Sequence, residues 1–408
     1  DLTVVVGDGS EPIPGGTVVL RAGRVVAAGA GVSVPADAQT IDATGRWVTP
    51  GIVGGFTRLG LVEINAVDGS DDSSADEARF GAGLDIAVAV NPRSSAIATN
   101  RTGGVTRAVV APVTGNSIFA GQGAVIDLGE DMDPIMRGQA FQFVELGERG
   151  ADLAGGSRAA SHAELRMALE EAQRYARNPA GFDGASEDAL VNRIDARALV
   201  PVVQGRAKLL VHAEQARDIL AAIALREDFP QLDLVIVGAS EGWTVAPQIA
   251  ASRVPVIASA LNDLPANFEF IAATQSNIGR MRDAGVQVAI GMIDDSDTHY
   301  IRYSTQYAGN LVALERVPGA DGLSWSDAFA AISSWPAEIM GLGGEIGSLR
   351  PGRRADVVIW DGDPLELSSN VETMFIDGVQ QSLASRQNRL RDRYLNIGET
   401  ERPQAYEW

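Results

Sequence analysis

The chain has 408 residues, 45% of them hydrophobic, and carries 33 basic against 53 acidic side chains, for a formal net charge of -20. So acidic a surface repels nucleic acid and anionic membranes, and neither is expected as a main partner. Cysteine is absent, which excludes thiol catalysis, cysteine zinc sites and disulfides.

The sequence alone leaves two cellular locations as alternatives. No apolar run reaches the roughly 18 residues that cross a bilayer. The chain starts inside a strand-like pattern, "DLTVVVGDGS". A periplasmic location with a cleaved leader and a cytoplasmic location are therefore both retained as expectations.

Both ends of the chain predict short strands. In "GTVVLRAGRVVAAG" two β-branched runs are split at Ala22-Gly23, which is a hairpin signal. Near the other end, "ADVVIWDGDP" is followed by "TMFIDGVQQSL", with a second turn at Asp377-Gly378. We therefore predict a small β-sandwich domain composed of residues 1–50 together with residues 345–382.

Residues 51–344 alternate short apolar runs with longer amphipathic ones. The runs that predict buried parallel strands are "GVTRAVVAPV", "KLLVHAE", "LDLVIVGASE", "VPVIASAL" and "VQVAIGMIDD". A helical stripe follows the second run, formed by Ile219, Leu220, Ile223 and Leu225. This α/β pattern predicts a (β/α)8 TIM-like barrel, with a doubly wound open sheet as the alternative. The barrel is favoured because both chain ends enter the other domain, which places the ends of the middle segment close together.

Two polar stretches and the C-terminus complete the plan. "EINAVDGSDDSSADEARFG" and "RNPAGFDGASEDALVN" predict long loops, which in a barrel line the active-site face. Residues 383–408 predict a charged helix followed by a tail.

The flanks of the middle segment resemble a known family. "TIDATGRWVTPGIV" and "GSLRPGRRADVVIWDGDPLE" resemble the two flanks of the barrel in the amidohydrolase superfamily. "GQGAVIDL", "VHAEQARDI" and "DAFAAISSWPAEIMGL" are similar to its imidazolonepropionase-like branch. The resemblance covers essentially the whole chain. It implies a hydrolase of non-peptide C–N bonds whose one or two divalent ions lower the pKa of a bound water.

In that family the metal ligands stand at strand ends, and here most of those positions hold other residues. The family has a His-x-His after strand 1, where this chain has Phe56 and Arg58, preceded by Gly54 instead of an aspartate. Phe56 has no donor atom, and the permanent charge of Arg58 repels a cation. The lysine or glutamate that often follows strand 4 is not supplied by Lys208, which lies at the start of its strand.

Of the ligand positions that follow strands 5, 6 and 8 in the family, one has the family residue in this chain. His212 matches the strand 5 histidine, whereas the strand 6 position falls at Gly238 or Ala239, with Glu241 nearby. The strand 8 position falls near Ile293, directly before Asp294 and Asp295. The whole chain has three histidines, His162, His212 and His299.

Several roles stay open for these residues. His212 and Asp294 are candidate catalytic groups, and Arg58, Phe56 and Glu241 are candidate substrate-binding groups. A rebuilt oxygen-rich cation site would draw on His212, Glu214, Asp294, Asp295, Asp297 and His299, although a solvated acidic loop is the favoured reading of the last four. Arg58 either anchors a substrate carboxylate or pairs with Asp294 or Glu241 as a plug, and the plug is favoured because a buried unpaired guanidinium is costly.

Three functions follow from this pattern. The first is an amidohydrolase with a reduced or rebuilt metal site, and its inherited metal-dependent activity is expected to be lost or much altered. The second is a non-catalytic binding module or a partner subunit of an intact homologue. The third is a metal-free enzyme that uses Arg58 and His212.

No cofactor is expected, with one divalent cation, zinc or another, as the alternative. A small-molecule ligand in the barrel mouth and a homo-oligomer are the expected partners.

Overall fold

A computed structural model describes residues 2–64, 67–183, 190–293 and 300–395. Its strands are β1 (Thr3–Val4), β2 (Ile13–Pro14), β3 (Thr17–Arg21), β4 (Arg24–Gly29), β5 (Trp47–Pro50), β6 (Ile52–Thr57), β7 (Val105–Val110), β8 (Phe119–Asp127), β9 (Ile135–Glu145), β10 (Lys208–Ala213), β11 (Asp233–Gly238), β12 (Val256–Ala258), β13 (Val288–Ile290), β14 (Val357–Trp360), β15 (Val371–Ile376) and β16 (Val379–Gln380).

Its α-helices are α1 (Ser95–Arg101), α2 (Gly147–Leu153), α3 (Arg158–Arg177), α4 (Arg193–Val203), α5 (Ala216–Asp228), α6 (Ala246–Ser252), α7 (Asn277–Asp283), α8 (Ser304–Leu314), α9 (Trp325–Ala330), α10 (Ser334–Ile339) and α11 (Arg386–Leu395). Within the described ranges, none of these helices is both long and apolar enough to cross a membrane.

Strands from both chain ends form one six-stranded sheet, in the order β16-β15-β14-β5-β1-β2, beside a two-stranded ribbon of β3 and β4. Both predicted hairpins are present. Ala22 and Gly23 have φ of 50° and 73°, and Asp377 and Gly378 have φ of 52° and 78°. Positive φ at both central residues is the turn geometry that suits the twist of a hairpin.

The sheet and the ribbon share a small apolar core. Its buried residues are Val4, Val25, Ala43, Val48, Leu349, Val357 and Ile359. This arrangement agrees with the predicted β-sandwich built from both ends of the chain. The predicted domain boundaries, at residues 50, 345 and 382, stay predictions.

The middle of the chain forms an eight-stranded sheet that curls into a nearly closed barrel, in the order β13-β12-β11-β10-β9-β8-β7-β6. All five apolar runs that predicted parallel strands are strands of this sheet, which confirms the barrel. The two edges meet where Met292 N donates to Phe56 O at 3.0 Å. Gly55 allows this approach, because a Cβ there would lie 2.4 Å from Ile290 O.

One strand departs from a strict (β/α)8 repeat. β8 runs antiparallel to both β7 and β9. The connection from Asp127 to Ile135 is short, and a short connection joins antiparallel strands, whereas parallel neighbours need a crossover. The loop of residues 111–118 between β7 and β8 is similarly short, so β7, β8 and β9 form an antiparallel meander, and β9 runs parallel to β10.

Of the four residues predicted to form the apolar stripe of α5, two are buried in the core. In α5, Ile219 and Leu225 are buried, whereas Leu220 and Ile223 only pack against the edge of the core. Ala222 completes the buried face. The described residues of both polar stretches carry only short 3-10 turns, as expected of loops, and α11 is the predicted C-terminal helix and is exposed.

Candidate functional site at the carboxyl ends of the barrel strands

Phe56 and Arg58 lie at the carboxyl end of β6. The Phe56 side chain is 1% exposed, and its ring meets the Phe143 ring edge-on with centroids 5.2 Å apart. Arg58 is half-buried, and its guanidinium carbon lies 5.9 Å from the centre of the Phe56 ring. An aromatic pair and a cation therefore occupy the strand end at which the family places two histidines.

His212, in β10, is held between two carboxylates. Its Nδ1 contacts Glu145 Oε1, and its Nε2 lies 2.7 Å from Glu214 Oε1. The side chain keeps 20% of its surface exposed, while Glu214 is 1% exposed. Both ring nitrogens thus contact carboxylates, and neither nitrogen is left to bind a ligand in the barrel mouth. Glu145, His212 and Glu214 are called the His212 cluster below.

The cluster stabilises the charged form of the imidazole. Burial by itself would lower the pKa of His212, but the carboxylates of Glu145 and Glu214 outweigh it and hold that pKa well above its usual value. Burial would raise the pKa of Glu214, but the bonded imidazolium and Ser240 hold it below the usual range. A doubly bonded imidazolium donates from both nitrogens, so it is a poor metal ligand and a poor proton acceptor.

Gly238, at the end of β11, is with Ala239 one of the two positions at which the strand 6 histidine is expected, and the space beside Gly238 is occupied by the His212 cluster. Its φ is +98°, and a Cβ there would lie 2.2 Å from Glu214 Oε1 and 2.9 Å from His212 Cδ2. The conformation favours glycine, and the position has no room for a longer side chain. The His212 cluster therefore fills the space that a second histidine would need.

Glu241 binds backbone amides. Its Oε2 accepts from Ala216 N at 3.2 Å and its Oε1 from Ala272 N at 3.4 Å. A carboxylate at the first residue of α5 is favourable because the helix N-terminus carries partial positive charge. The geometry thus gives Glu241 a capping contact. Its predicted roles, in substrate binding and as a partner of Arg58, stay predictions.

The other predicted residues lie away from the cluster or outside the description. Lys208 begins β10 and pairs with Asp233 at 2.6 Å, at the strand end opposite His212. His162 lies in α3, with Nε2 3.9 Å from Asp218 Oδ1. The acidic stretch after β13, comprising Asp294, Asp295, Asp297 and His299, lies outside the described residues.

Sequence reasoning missed Glu145 and the polar residues behind Glu214. Glu145 ends β9, the fourth barrel strand counted from β6, where the family often has a lysine or a glutamate, so the expectation that the strand 4 ligand is missing is not met. The signal that could have found it is the segment from Ala140 to Val144, apolar except for Gln142, directly before an acid. Glu214 Oε2 accepts from Ser240 N at 2.8 Å, and Asn262 Nδ2 donates to Ser240 Oγ at 2.9 Å. A polar chain therefore runs from His212 to the segment after β12.

A divalent metal of the family type does not fit the residues described. No group of three or more potential metal-binding side chains converges on one point within the described ranges. The strand ends offer an aromatic ring, a guanidinium, a glycine without space for a side chain and an imidazole already bonded on both nitrogens. Zinc needs three or four nitrogen, oxygen or sulfur donors that converge on one point, and the described residues of the mouth do not provide such a set, because the carboxylates of Glu145 and Glu214 face His212.

Comparison with known proteins gives consistent matches. A model of the Amidohydrolase family matches residues 208–380. An imidazolonepropionase from Acidiphilium cryptum is 27% identical over 386 residues, which cover 87% of this chain and 89% of that protein. Amidohydrolase tasK from Hapsidospora irregularis is 23% identical over 386 residues, which cover 85% of this chain. This chain spans only 38% of the length of tasK.

A solved structure has the same fold. The amidohydrolase from Thermotoga maritima MSB8 superposes with a TM-score of 0.80 at 24% identity, covering 93% of this chain and 99% of that one. At this level of identity the likeness concerns the fold alone.

Proposed function

The chain belongs to the amidohydrolase superfamily, in its imidazolonepropionase-like branch, and we propose that it no longer performs a metal-dependent reaction. By this membership we infer that it is related to hydrolases of non-peptide C–N bonds. It works as a non-catalytic member, either as a binding module or as the partner subunit of an intact homologue. The observation that carries this proposal is the His212 cluster, in which the histidine retained from the family is bonded by carboxylates on both ring nitrogens.

Two further features support the loss of metal chemistry. Phe56 is packed against Phe143 at the first strand end, so restoring a ligand there would leave a cavity in the core. Gly238 cannot carry a side chain without displacing Glu214. At these two strand ends the family ligand is thus replaced by packed side chains and not by an empty space.

The metal-free enzyme is the second candidate, and the protonation of His212 weighs against it. A general base must accept a proton near neutral pH, and the paired carboxylates favour the form that already holds one. Arg58, which is half-buried at the mouth, stays a candidate anchor for a substrate carboxylate in this alternative.

A partner role is supported by the surface near the mouth. Leu264 and Phe268 are each 75% exposed, and Ile271 is 63% exposed, on the segment after β12. Large apolar side chains that share one exposed segment are typical of surfaces that bind other proteins. A homo-oligomer through this or another face is proposed on the same ground.

The proposal is tested by a hydrolysis assay on amides, cyclic imides and dipeptides, with and without a chelator, beside an intact family member as positive control. We expect no turnover by this chain under either condition. Turnover that disappears with the chelator would establish an inherited metal mechanism. Turnover that ignores the chelator but is lost in His212→Ala would establish the metal-free enzyme instead.

A further inference from the structure

The segment after β12, residues 261–275 and called the strap below, has an inverted pattern of burial. Glu269 is its one buried residue, at 7% exposure. Its large apolar side chains are outside, with Leu261 at 47%, Leu264 and Phe268 at 75%, and Ile271 at 63% exposure. A loop normally buries apolar groups and exposes charges, so little hydrophobic burial holds the strap in place.

Polar contacts lay the strap across neighbouring strand ends. Phe268 O accepts from Gln215 Nε2 at 2.6 Å, behind β10, and Ala272 O accepts from Trp243 Nε1 at 2.8 Å, behind β11. Asn262 bonds Ser240, which in turn bonds Glu214 of the His212 cluster. The strap therefore crosses the rim of the barrel mouth and is connected to the cluster through one side chain.

Glu269 reaches the third strand end, behind β9. Its Oε1 accepts from Glu148 N at 2.7 Å and from Arg158 Nη2 at 2.9 Å. Arg158 is fixed by a second carboxylate, with its Nε donating to Asp218 Oδ2 at 3.0 Å. Gly147 makes room for the contact, because a Cβ there would lie 2.3 Å from Glu269 Oε1. The site that binds the Glu269 carboxylate is thus formed by the first turns of α2 and α3, with α5 contributing through the contact between Asp218 and Arg158.

We propose that the strap is a lid on the rim of the mouth, latched by Glu269, that opens as a unit while the barrel stays folded. Glu269 is the latch because it is the one buried residue of the strap and its contacts lie behind β9, the strand end farthest from β12 that the strap reaches. Opening withdraws Asn262 from Ser240 and uncovers the β10 and β11 side of the His212 cluster. The inference goes beyond the proposed function, because it holds whether or not the cluster is catalytic.

The test is limited digestion of the folded chain with chymotrypsin, with fragments identified by mass spectrometry. Phe268 and Phe270 provide cleavage sites within the strap, and Leu261 a slower one. Because residue 269 adjoins both phenylalanines, each cleavage rate is divided by the rate for the same variant unfolded in urea. We expect Glu269→Ala to be cut there about tenfold faster than wild type, because cleavage of a locally opened segment follows its open population. Glu269→Gln keeps the acceptor oxygen and loses the charge, so its cleavage rate is expected to lie between the two.

Glu171→Ala is the matched control. Glu171 is also a buried glutamate that accepts from backbone amides, those of Leu190 and Val191, but it lies in α3 away from the strap. Its loss is expected to leave cleavage within residues 261–275 unchanged. A strap that is cut equally fast in Glu171→Ala and Glu269→Ala would overturn the latch.

Two other outcomes also decide the question. Unchanged cleavage in Glu269→Ala contradicts the proposal. Cleavage spread over β10 to β13 at the same rate also contradicts it, because that pattern indicates global unfolding.

A second variant is used if Glu269→Ala does not fold. Gln215→Ala removes the hydrogen bond to Phe268 O from an accessible side chain. Faster cleavage of the strap in this variant supports the lid, whereas an unchanged rate overturns it. Metal analysis of the same wild-type sample tests the proposed function separately, since neither result determines the other.

Discussion

Two clusters of charge sit at different places in this barrel, and they differ in what surrounds them. In the first, Arg107 of β7 is 0% exposed and donates to both oxygens of Asp356 at 2.7 Å. Asp377 and Asp127 lie 3.0 and 3.5 Å from the same guanidinium. In the second, His212 is 20% exposed and the contacts continue through Ser240 to a surface segment.

The difference separates a structural cluster from the cluster that we propose is a former active site. Asp356 precedes β14 and Asp377 follows β15, so Arg107 joins the barrel to the β domain. Burial would lower the pKa of Arg107, but the surrounding aspartates outweigh it and raise that pKa. The His212 cluster joins strand ends only. Its residue types are those of an active site, but both ring nitrogens of His212 are already bonded to carboxylates.

The largest effect on the free energy of unfolding is expected for a substitution that breaks the structural cluster around Arg107. Arg107→Met leaves buried carboxylates without their cation, which is expected to lower the free energy of unfolding by about 4 kcal/mol. Urea denaturation measures the loss. Arg21→Ala is the control, since Arg21 and Asp37 form a surface pair, and a loss in the control as large as that in Arg107→Met would contradict the assigned role of the buried cluster.

A smaller effect is expected at Phe56. If the mouth is packed as a core, Phe56→Ala opens a cavity against Phe143 and lowers the free energy of unfolding by about 3 kcal/mol. Phe268→Ala removes a side chain that is 75% exposed and should change stability by less than about 0.5 kcal/mol. Equal effects from the two variants, measured in the same urea titration, would show that Phe56 lines an open site and not a core.

The smallest effect concerns pH. Because the folded state raises the pKa of His212 well above 6.5, the cluster stabilises the fold fully below the unfolded pKa and loses this contribution as pH rises through the folded value. Wild-type melting temperature should therefore fall between neutral and alkaline pH more steeply than that of His212→Gln. Parallel slopes for the two proteins would mean that the imidazole is neutral in the folded chain.

The fold could be predicted largely from local patterns. The turns at Ala22-Gly23 and Asp377-Gly378, the apolar runs and the two flanks each carry their signal within a few residues, so the barrel and the composite sheet followed. β8 was not foreseen as antiparallel, because its direction is set by the short connection to β9 and not by its own composition.

The site was less accessible to sequence reasoning, because its contacts join distant residues. The absence of ligands at Phe56, Arg58 and Gly238 could be read directly from the strand ends. The engagement of His212 could not, because Glu145 lies 67 residues away along the chain and meets it only when β9 and β10 pair. The role of Glu269 depends in the same way on Arg158, which the sequence gives no reason to place beside it.

Retention of zinc by the purified chain tests the central claim most directly. The protein is incubated with excess zinc, desalted and analysed by inductively coupled plasma mass spectrometry, with His212→Gln treated identically. The structure predicts no zinc retained by either protein, because the strand ends have no converging free donors within the described ranges. About one equivalent of zinc retained by wild type and lost in His212→Gln would contradict the account, since a single tightly bound ion is what an intact site holds.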